Sequence, residues 1–432
     1  MAEPFPLGPA LWAATAPPAP DTPPLTESVA VDVAIVGAGY LGLSCALHLA
    51  ERGVRAVVLE AHEPGWGASG RNGGQVIPGL KHDPDEIEAM FGRERGGRLI
   101  EFVAGIADTV FDLIARHRLD VPHSRAGWIQ GAHSAASIEL VKRRAEQWAR
   151  RGAPVELADA ARIASLTGSE VYRAGWVDKR AGTIQPLAFA RGLARAALGA
   201  GARIHGDTKV TGLTREAAGW RVTTASGAAV TAPRVVLATN AYVGDLWPRV
   251  RRTLIPINSY LIATEPLSEN VRRTILPEGH ATSDTRRLLV YTRLDPAGRL
   301  LLGGRGYLGD PTGPAAWTHI ERALAEMYPQ AAAAPIAFRW CGRLAVTRDY
   351  LPHLHEPAPG LLIDAGCQGR GVALQTAMGR AIADYVATGD AAALPLPVTA
   401  IREIPFHGLH QAYVTALIAW YRLLDSAAAK FS

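Results

Sequence analysis

The chain has 432 residues, of which 48% are hydrophobic and 20% are charged, and roughly 150 residues per domain allows two or three domains. This composition excludes an intrinsically disordered protein. The formal charge of +5 reflects 45 Lys and Arg residues scattered among 40 Asp and Glu residues, which argues against a nucleic-acid-binding protein. The cysteines, Cys45, Cys341 and Cys367, are far apart, which excludes a disulfide scaffold and a cysteine-ligated zinc site.

Residues 1–28 form a proline-rich arm with eight prolines between Pro4 and Pro24. This composition predicts a segment resembling polyproline II. No Lys or Arg precedes Arg52, so the N-terminus lacks the basic region of a secretory signal. The sequence contains no uninterrupted run of about 18 apolar residues, so it predicts no transmembrane helix. We therefore expect a cytoplasmic protein without a transmembrane segment.

The arm leads into a βαβ unit. Apolar runs at 31–36 and 55–60 predict strands, and the spacing over 41–52 predicts a helix between them. A long helix is predicted over about 85–118, because apolar residues recur there every three or four positions and would form one buried face. These residues are Leu99, Val103, Ile106, Val110 and Leu113.

The middle of the chain differs from its two ends. A helix at 186–198, short β runs between 202 and 231, and a strand at 234–238 are followed by a β-rich insert over about 253–305. After a helix at 320–327, a strand at 361–365, a glycine loop and a helix at 372–386 resume the βα alternation. Such alternation at both ends predicts an α/β fold with a Rossmann-like parallel sheet and a β-rich second domain.

The predicted domain boundaries follow from this alternation. We assign 29–84, 154–250 and 336–404 to a discontinuous nucleotide-binding domain, and 85–153 and 251–335 to a substrate domain. Residues 405–432 form a C-terminal helical tail with apolar residues at helical spacing. We favour a helix that docks on the domain surface over one that lies on a membrane, because its polar face carries few cations.

The motif most indicative of function is Gly37-Ala38-Gly39-Tyr40-Leu41-Gly42, between the first strand and the first helix. In such a turn the first glycine permits tight bending, the second lets the backbone approach a pyrophosphate, and the third allows close packing of helix and strand. The helix N-terminus offers free N–H groups to the anion. Glu60 closes the second strand, where a carboxylate accepts hydrogen bonds from the adenosine ribose and disfavours NADP.

A second glycine-rich loop, residues 65–75, follows Glu60 closely. So many glycines predict a loop that lies against a ligand, such as a second phosphate or a ring surface. A simple nicotinamide dehydrogenase lacks this element, so the loop favours FAD over NAD.

These segments, together with 235–242 and the closing motif Gly366-Cys367-Gln368-Gly369-Arg370-Gly371-Val372, resemble the FAD-dependent D-amino-acid oxidase superfamily. Within it, the chain looks most like the gamma-glutamylputrescine oxidoreductase branch, whose tail the stretches 405–409 and 420–425 also resemble. The likeness covers about residues 25 to 425. The FAD-binding residues that it implies are Gly37, Ala38, Gly39, Tyr40, Leu41, Gly42, Glu60, Ala61, Gly67, Ala68, Ser69, Arg71, Asn72, Gly73, Gly74, Gln75, Val210, Thr239, Asn240, Gly366, Gln368, Gly369, Arg370, Gly371 and Val372.

The resemblance implies that the protein oxidises a C–N bond of an amine or amino-acid derivative to an imine by hydride transfer to flavin N5. Oxygen would reoxidise the flavin and release hydrogen peroxide. The alternatives are a dehydrogenase of the same fold with another electron acceptor and a tRNA-modifying flavoprotein. The partners expected are a small-molecule amine and an electron acceptor, with no nucleic acid and no metal.

Three departures from family patterns bear on these expectations. Gln368 and Arg370 stand where many relatives have Ser and His, and Arg370 either stabilises the reduced flavin or forms a surface ion pair. The stretch 342–349 places Arg343 one residue from the usual carboxylate-binding position, which leaves carboxylate recognition open. Cys341 is out of register with the flavin-linked cysteine of sarcosine-oxidase-like relatives, which implies non-covalent FAD. The stretch 300–303 lacks the lysine with which such relatives assist oxygen.

Substrate contacts are the least specific prediction. The resemblance implies that they come from the β-rich insert and the loop after the βαβ unit, and each one is individually more typical of packing or of the surface. The candidates are Gln75, His82, Tyr260, Tyr291, Arg293, Arg305, Tyr307 and Trp340. Those considered for a catalytic role are Arg370, His82, Arg305 and Tyr260, and none is required as a base.

Overall fold

The computed structural model describes residues 6–306 and 308–430, with side chains described up to Asp425. Tyr307 therefore lies outside the described residues. The helices are α1 Leu11–Thr15, α2 Tyr40–Glu51, α3 Pro84–Arg116, α4 Ile138–Ala149, α5 Ala160–Thr167, α6 Pro186–Gly199, α7 Glu269–Arg272, α8 Thr318–Met327, α9 Gly371–Thr388 and α10 His410–Lys430.

The strands are short in the first half of the chain and longer in the second. They are β1 Val29–Ala30, β2 Val33–Val36, β3 Ala56–Leu59, β4 Gln75–Val76, β5 His123–Ser124, β6 Trp128–Ala132, β7 Val155–Asp159, β8 Ala174–Asp178, β9 Gly182–Ile184, β10 Arg203–His205, β11 Val210–Glu216, β12 Gly219–Thr224, β13 Ala229–Ala232, β14 Arg234–Leu237, β15 Ile255–Pro266, β16 Ala281–Asp284, β17 Val290–Leu294, β18 Arg299–Arg305, β19 Ile336–Val346, β20 His353–Ala358 and β21 Leu361–Ala365.

A six-stranded sheet in the order β10-β3-β2-β14-β21-β20 forms the first layer. Its strands are parallel except for β20, which runs antiparallel to β21. The unit β2-α2-β3 is the predicted βαβ start, and the α/β class with a parallel sheet is confirmed.

Helices α2 and α9 pack closely against each other beside this sheet. All residues of α2 from Tyr40 to Leu49 are buried, and a Cβ on Gly379 of α9 would lie 2.5 Å from the Leu41 carbonyl oxygen. Glycine at that position therefore permits the close approach of the two helices. The predicted apolar face of α3 is buried as expected, and this helix also packs on α9.

An eight-stranded sheet in the order β19-β15-β18-β17-β16-β6-β8-β7 forms the second layer. Three of its strands, β7, β8 and β19, lie in segments that the predicted boundaries 154–250 and 336–404 assign to the nucleotide-binding domain. In the structure these strands belong to the eight-stranded sheet instead. Strand β8 pairs with β6, β7 pairs with β8 at the edge of the sheet, and β19 pairs with β15 along most of its length. The assignment of the remaining segments to domains stays a prediction.

The sequence predicts a segment resembling polyproline II for the proline-rich arm, but in the structure the arm is not one continuous segment of this kind. It contains the short helix α1, in which Leu11 and Trp12 are buried. The Trp12 Nε1–H donates to the Asn72 carbonyl at 2.8 Å, and its ring packs edge-on against Trp340. Burial of these large apolar side chains outweighs the preference of the neighbouring prolines for an extended backbone.

The C-terminal helix α10 contacts the rest of the protein through one narrow face. Val414 is buried and Ile418 is half-buried in a cluster with Ile257 and Val346. Near the end of the helix, Asp425 accepts hydrogen bonds from the backbone amides of the loop between β16 and β17.

Candidate active site

A cavity of about 1660 Å³ opens beyond the carboxyl ends of β2, β3 and β14, where ligands bind in open α/β sheets. It continues to the eight-stranded sheet, where Gln130, Ser283 and Arg305 line it. Pockets for a single drug-sized molecule span roughly 300–1,000 Å³. This cavity therefore has room for a dinucleotide and a second, smaller molecule.

The glycine-rich turn after β2 has the geometry that its sequence predicts. Gly37 has φ +105°, and a Cβ there would lie 3.0 Å from the Ala238 carbonyl oxygen. A Cβ on Gly42 would lie 2.0 Å from the Gly37 carbonyl oxygen. Glycine is thus required at both positions, for a backbone conformation at the first and for close packing at the second.

Glu60 at the end of β3 is tied to this turn. Its carboxylate accepts from the Ala38 amide at 2.7 Å and from the His62 amide at 3.1 Å. Burial raises the pKa of the Glu60 carboxyl, and the two amides oppose that rise. The carboxylate also lines the cavity, so it is placed to accept further hydrogen bonds from a bound ligand.

The second glycine-rich loop is held by Asn72 and Ser69. The Asn72 Nδ2 donates to the Tyr40 hydroxyl at 3.1 Å, and its Oδ1 accepts from the Gly74 amide at 2.8 Å. Ser69 Oγ accepts from the Tyr40 amide at 3.0 Å. The two glycine-rich segments are therefore joined at the N-terminus of α2, which the sequence alone did not reveal.

Arg71 in the same loop is buried beneath Trp66. Its Nε–H donates to the Trp66 carbonyl at 2.8 Å, and its guanidinium carbon lies 4.4 Å from the centre of the Trp66 ring. Burial lowers the pKa of Arg71. The Trp340 Nε1–H donates to the Arg71 carbonyl at 2.9 Å, which fixes the loop against β19.

The predicted cofactor-binding residues cluster around the cavity, and all except Ala38, Gly42, Gly74 and Gly366 line it. Those four shape its wall from behind. The Gly366 amide, for example, donates to Asn240 Oδ1 at 3.0 Å, and the Gly74 carbonyl accepts from Arg293 at 3.2 Å.

The cavity fits FAD. The N-cap of α2, Gly39, makes no side-chain capping bond, and the first turn contains no acidic residue, which leaves this helix end suited to a pyrophosphate. Thr239 Oγ1, at the cavity wall, is buried without a hydrogen-bond partner among the described residues. Glu60 and Val210 line the same end, as a nucleoside would require.

In the closing loop, Gln368 supports the backbone. Its Nε2 donates to Thr347 Oγ1 at 2.7 Å and to the Leu351 carbonyl at 2.9 Å. Gln368 itself has φ +53°, a conformation that non-glycine residues rarely adopt. The side chain therefore joins this strained loop to the end of β19.

Arg370 lines the cavity at the N-terminus of α9. Its Nη1 donates to the Pro78 carbonyl at 2.6 Å, and its guanidinium carbon lies 5.8 Å from the centre of the Trp128 ring. Burial lowers the pKa of Arg370 to about 10. Within the described residues it forms no ion pair, so the geometry favours the first of its two predicted roles, beside the ring, over a surface ion pair.

Three of the substrate candidates, Gln75, Tyr291 and Arg305, line the cavity. Gln75 Nε2 donates to the carbonyls of Thr282 and Thr292. The Tyr291 hydroxyl lies 2.8 Å from Ser259 Oγ. These contacts fix both side chains in the wall between the two layers.

Four other candidates, His82, Tyr260, Arg293 and Trp340, do not line the cavity. His82 Nε2 is 2.7 Å from the Asp349 carbonyl oxygen, so its ring is turned toward another loop. Tyr260 is a core residue whose hydroxyl donates to the Gly309 carbonyl. The Arg293 guanidinium donates to the Ile184 carbonyl at 2.6 Å, and Trp340 is fully buried. His82 comes from the loop after the βαβ unit and the other three come from strands of the second layer, and their contacts leave all four outside the cavity wall.

Lys81 and Asp310 are among the cavity residues that sequence reasoning missed. Lys81, the neighbour of His82, lines the cavity, and burial together with Arg370 and Arg305 lowers its pKa to about 7. Asp310 also lines the cavity, and both of its carboxylate oxygens accept from Arg343 Nη2 at 3.0 Å. A lone lysine or aspartate in a loop carries no motif, so no sequence signal identified them.

Cys341 lies on β19 with its side chain in an apolar cluster that includes Tyr260 and Ile262. It is buried and does not line the cavity. Burial raises the pKa of this thiol to about 12. These observations support the prediction of non-covalent FAD, because a thiol linked to the flavin would have to face the cavity.

Comparison with known proteins identifies the family. The family model for DAO, described as FAD dependent oxidoreductase, matches residues 32–385. The chain belongs to this family. It is therefore an FAD-dependent oxidoreductase, and the predicted resemblance and cofactor are confirmed.

Curated relatives cover nearly the whole chain. It is 34% identical over 406 residues to gamma-glutamylputrescine oxidoreductase of Escherichia coli K12, covering 90% of this chain and 93% of the relative. It is 33% identical over 421 residues to the probable oxidoreductase OrdL of Rhizobium meliloti, covering 96% of each. By their names both relatives are oxidoreductases, the second a probable one, and the first acts on gamma-glutamylputrescine.

Solved structures confirm the fold. Glycine oxidase from Geobacillus kaustophilus superposes with a TM-score of 0.71 at 21% identity, covering 86% of this chain and all of the other. L-proline dehydrogenase from P. horikoshii superposes with a TM-score of 0.70 at 20% identity, covering 85% of this chain and 95% of the other. Among the described residues, no helix has the length and apolar character needed to cross a bilayer.

Proposed function

We propose that the protein oxidises the C–N bond of a small amine or amino-acid derivative to an imine, with oxygen as electron acceptor and hydrogen peroxide as product. The observation that carries this proposal is the 34% identity to gamma-glutamylputrescine oxidoreductase over 90% of the chain. The cavity supports it, because it has space for a small molecule beside a dinucleotide. We further propose a cytoplasmic location and no nucleic-acid partner.

Bound FAD would supply a two-electron acceptor, and the protein would supply orientation and electrostatics. The residues of the second layer that line the cavity, such as Gln75 and Tyr291, would orient the amine and exclude water. The N-terminus of α9 and the Arg370 guanidinium would favour negative charge at one end of the ring. Among the described residues, the side chains at this end include amides, a phenol, cations and the arginine-paired carboxyls of Asp284 and Asp310.

The reaction is tested by anaerobic reduction of the flavin. We expect primary or secondary aliphatic amines or amino-acid derivatives to bleach the flavin absorbance, and matched alcohols to leave it unchanged. Bleaching by none of a broad panel of amines and amino acids would contradict the proposed substrate class.

The electron acceptor is tested separately. Oxygen consumption and peroxide release that match substrate turnover would support an oxidase. Reduction of a quinone analogue or dye at a much higher rate than that of oxygen would favour the alternative, a dehydrogenase of the same fold. The absence of a lysine in the stretch 300–303 is the observation that keeps this alternative open.

A further inference from the structure

The C-terminal helix α10 and the turn before it expose a continuous apolar surface. Of the large apolar side chains that are exposed in the described part of the chain, six lie between residues 406 and 423. Leu409 is 62% exposed, Trp420 56% and Leu423 64%. The six residues are Phe406, Leu409, Tyr413, Leu417, Trp420 and Leu423.

Most of these side chains belong to a stripe that is separate from the face by which α10 packs on its own protein. The packed face contains the buried Val414 and the half-buried Ile418. The stripe is rotated from that face by about 100° or more, since each residue turns a helix by about 100°. Its members follow one another at steps of four, three, four and three residues, the heptad spacing of a helix that packs against another helix. This outer stripe consists of Leu409, Tyr413, Ala416, Trp420 and Leu423.

The surroundings of the outer stripe favour a protein partner over a lipid surface. A helix that lies on a membrane is rich in Lys and Arg on its polar face. The third side of α10, between the packed face and the outer stripe, carries Gln411, Thr415 and Arg422, so it offers one cation to a lipid surface. Aromatic side chains in a surface with few charges are instead typical of the centre of a protein–protein interface.

The outer stripe is complementary to itself when two copies of the helix pack antiparallel. With a twofold axis between residues 414 and 415, Leu409 faces Trp420 of the second copy, and Tyr413 faces the small Ala416. Leu423 then faces Phe406, which is 81% exposed. Each pair occurs twice, as a twofold interface built from one surface patch requires.

The exposed apolar area is sufficient for such a dimer. Because a large aromatic side chain buries roughly 150–250 Å², the six partly exposed side chains provide on the order of 600 Å² per copy and about 1,200 Å² in a pair. Specific protein–protein interfaces bury roughly 1,200–2,000 Å² in total. The area therefore lies at the lower end of this range, and we expect a dimer of moderate affinity.

We propose that α10 is a dimerisation surface, at which the outer stripe packs antiparallel against the outer stripe of a second copy of this chain. Twofold dimers are the commonest protein assemblies. Because His410 and Gln411 of the same helix line the cavity, the interface lies beside the cavity wall in each copy. The assembly does not depend on the proposed reaction, since the oligomeric state and flavin reduction are measured separately.

Sedimentation velocity of the FAD-loaded protein over a range of concentrations tests the dimer. We expect a monomer–dimer equilibrium in the unmodified protein. Trp420→Glu and Leu423→Glu should each raise the dimer dissociation constant at least tenfold, as expected for the loss of a large apolar contact at the centre of an interface. The matched control is Leu157→Glu, at another exposed leucine on β7, which should leave the constant unchanged. All three variants should retain FAD and the Tm of the monomer, because the substituted side chains are exposed.

Mixing of charged variants tests which residues meet in the interface. Leu409→Glu combined with Trp420→Glu places four carboxylates in the interface, and Leu409→Lys combined with Trp420→Lys places four cations there. Each double variant should be monomeric alone, and the two should associate with each other at least tenfold more tightly than either does with itself, because opposite charges then face each other. Mixed variants that associate no more tightly than the separate ones would overturn the proposed pairing.

Three further results would overturn the proposal. The first is an unmodified protein that stays monomeric at every concentration. The second is a dimer that keeps its affinity in Trp420→Glu and Leu423→Glu, since it would then use another surface. The third is a monomeric protein that sediments with vesicles of phosphatidylcholine and phosphatidylglycerol and loses this binding in Trp420→Glu, because the outer stripe would then face a membrane.

Discussion

Adjacent residues in the loop after β4 have different surroundings. Lys81 lines the cavity, whereas the ring of His82 is directed to the Asp349 carbonyl. Residue type favoured His82, since histidine is the commonest acid–base residue in catalysis. In the structure it is the Lys81 side chain that lines the cavity. The direction of each side chain depends on contacts with residues far along the chain, which the residue type does not show.

Glu60 joins the nucleotide-binding turn to the end of β3, so its charge should matter for FAD affinity. Glu60→Gln replaces one carboxylate oxygen by an NH₂ group that faces a backbone N–H. We expect the affinity for FAD to fall by about 1.5–3 kcal/mol, the usual contribution of hydrogen bonds to a charged group. Fluorescence titration of the apoprotein with FAD measures this. The exposed Glu27→Gln should leave the affinity unchanged, and equal affinities for all three proteins would contradict the role.

Arg370 should tune the flavin reduction potential. A reduced flavin is often anionic, so Arg370→Ala should lower the potential, by about 30 mV for each ~1.4 kcal/mol of lost stabilisation. Equilibration with a reference dye measures the potential. Arg370→Lys should retain most of it, and Arg380→Ala, which removes an exposed cation from the same helix, should not change it. An unchanged potential in Arg370→Ala would show that the guanidinium only supports the Pro78 loop.

The flavin should not be covalently bound. Cys341, the residue closest in sequence to a family attachment site, is buried in an apolar cluster away from the cavity. We expect acid precipitation to release all the FAD into the supernatant, where its absorbance is measured. Yellow colour that remains with the precipitated protein would contradict this expectation, and its retention in Cys341→Ser would point to Cys367, which lines the cavity.

At the scale of elements, sequence patterns correctly predicted those features that depend on interactions within a few residues. The turn at Gly37, the strand Leu361–Ala365 and the buried face of α3 follow from backbone freedom and apolar periodicity within a few residues. Sheet membership of β7, β8 and β19 did not follow, because pairing joins segments far apart in sequence. The helix α1 was missed for a related reason, since the pocket that buries Trp12 is built by Asn72 and Trp340.

Strand β21 carries a buried carboxyl group, Asp364, whose ionisation in the folded protein costs free energy. Asp364 is 2% exposed, and burial raises its pKa to about 7, against about 3.9 in an unfolded chain. Between these values only the unfolded state ionises, so stability falls as pH rises from about 4 to 7. Asp364→Asn cannot ionise, and we expect it to be more stable than the parent at pH 8 by about 1–3 kcal/mol.

Thermal unfolding with saturating FAD measures this difference. The Tm of Asp364→Asn should exceed that of the parent by a few degrees at pH 8 and match it near pH 4.5. The exposed Asp120→Asn is the control and should show no such dependence on pH. A lower Tm for Asp364→Asn at pH 8 would mean that the ionised carboxylate contributes to the fold.

At the scale of the whole molecule, the cavity exists because two sheets from interleaved segments meet. The first layer supplies the helix N-termini and glycine-rich turns, and the second supplies Tyr291, Arg305 and the other polar side chains of the wall. The nucleotide end of the cavity could be predicted because its residues lie within a few short motifs. At the substrate end the sequence nominated Gln75, Tyr291 and Arg305 but missed Lys81 and Asp310, because each of these side chains comes from a different strand or loop.

The tail helix α10 completes the cavity, and its docking should affect substrate binding. Its start contributes His410 and Gln411 to the wall, and the turn before it contributes His407. Near its end, Asp425 accepts from the amides of Arg287 at 3.3 Å and Leu288 at 3.1 Å. Removal of this carboxylate leaves two amides of the 285–290 loop without their acceptor. Asp425→Ala should therefore loosen both the helix and the loop, whose next residue, Leu289, also lines the cavity.

We expect faster amide hydrogen exchange at 285–290 and 407–411 in Asp425→Ala, since local opening requires less free energy when anchoring contacts are lost. The KM for the amine should rise while kcat changes little, because the wall of the cavity loosens and the flavin environment stays intact. Glu326→Ala, on the exposed side of α8, should change neither. If exchange in Asp425→Ala equals that of the parent, the apolar contacts of Val414 and Ile418 suffice to hold the helix, and the cavity wall does not depend on Asp425.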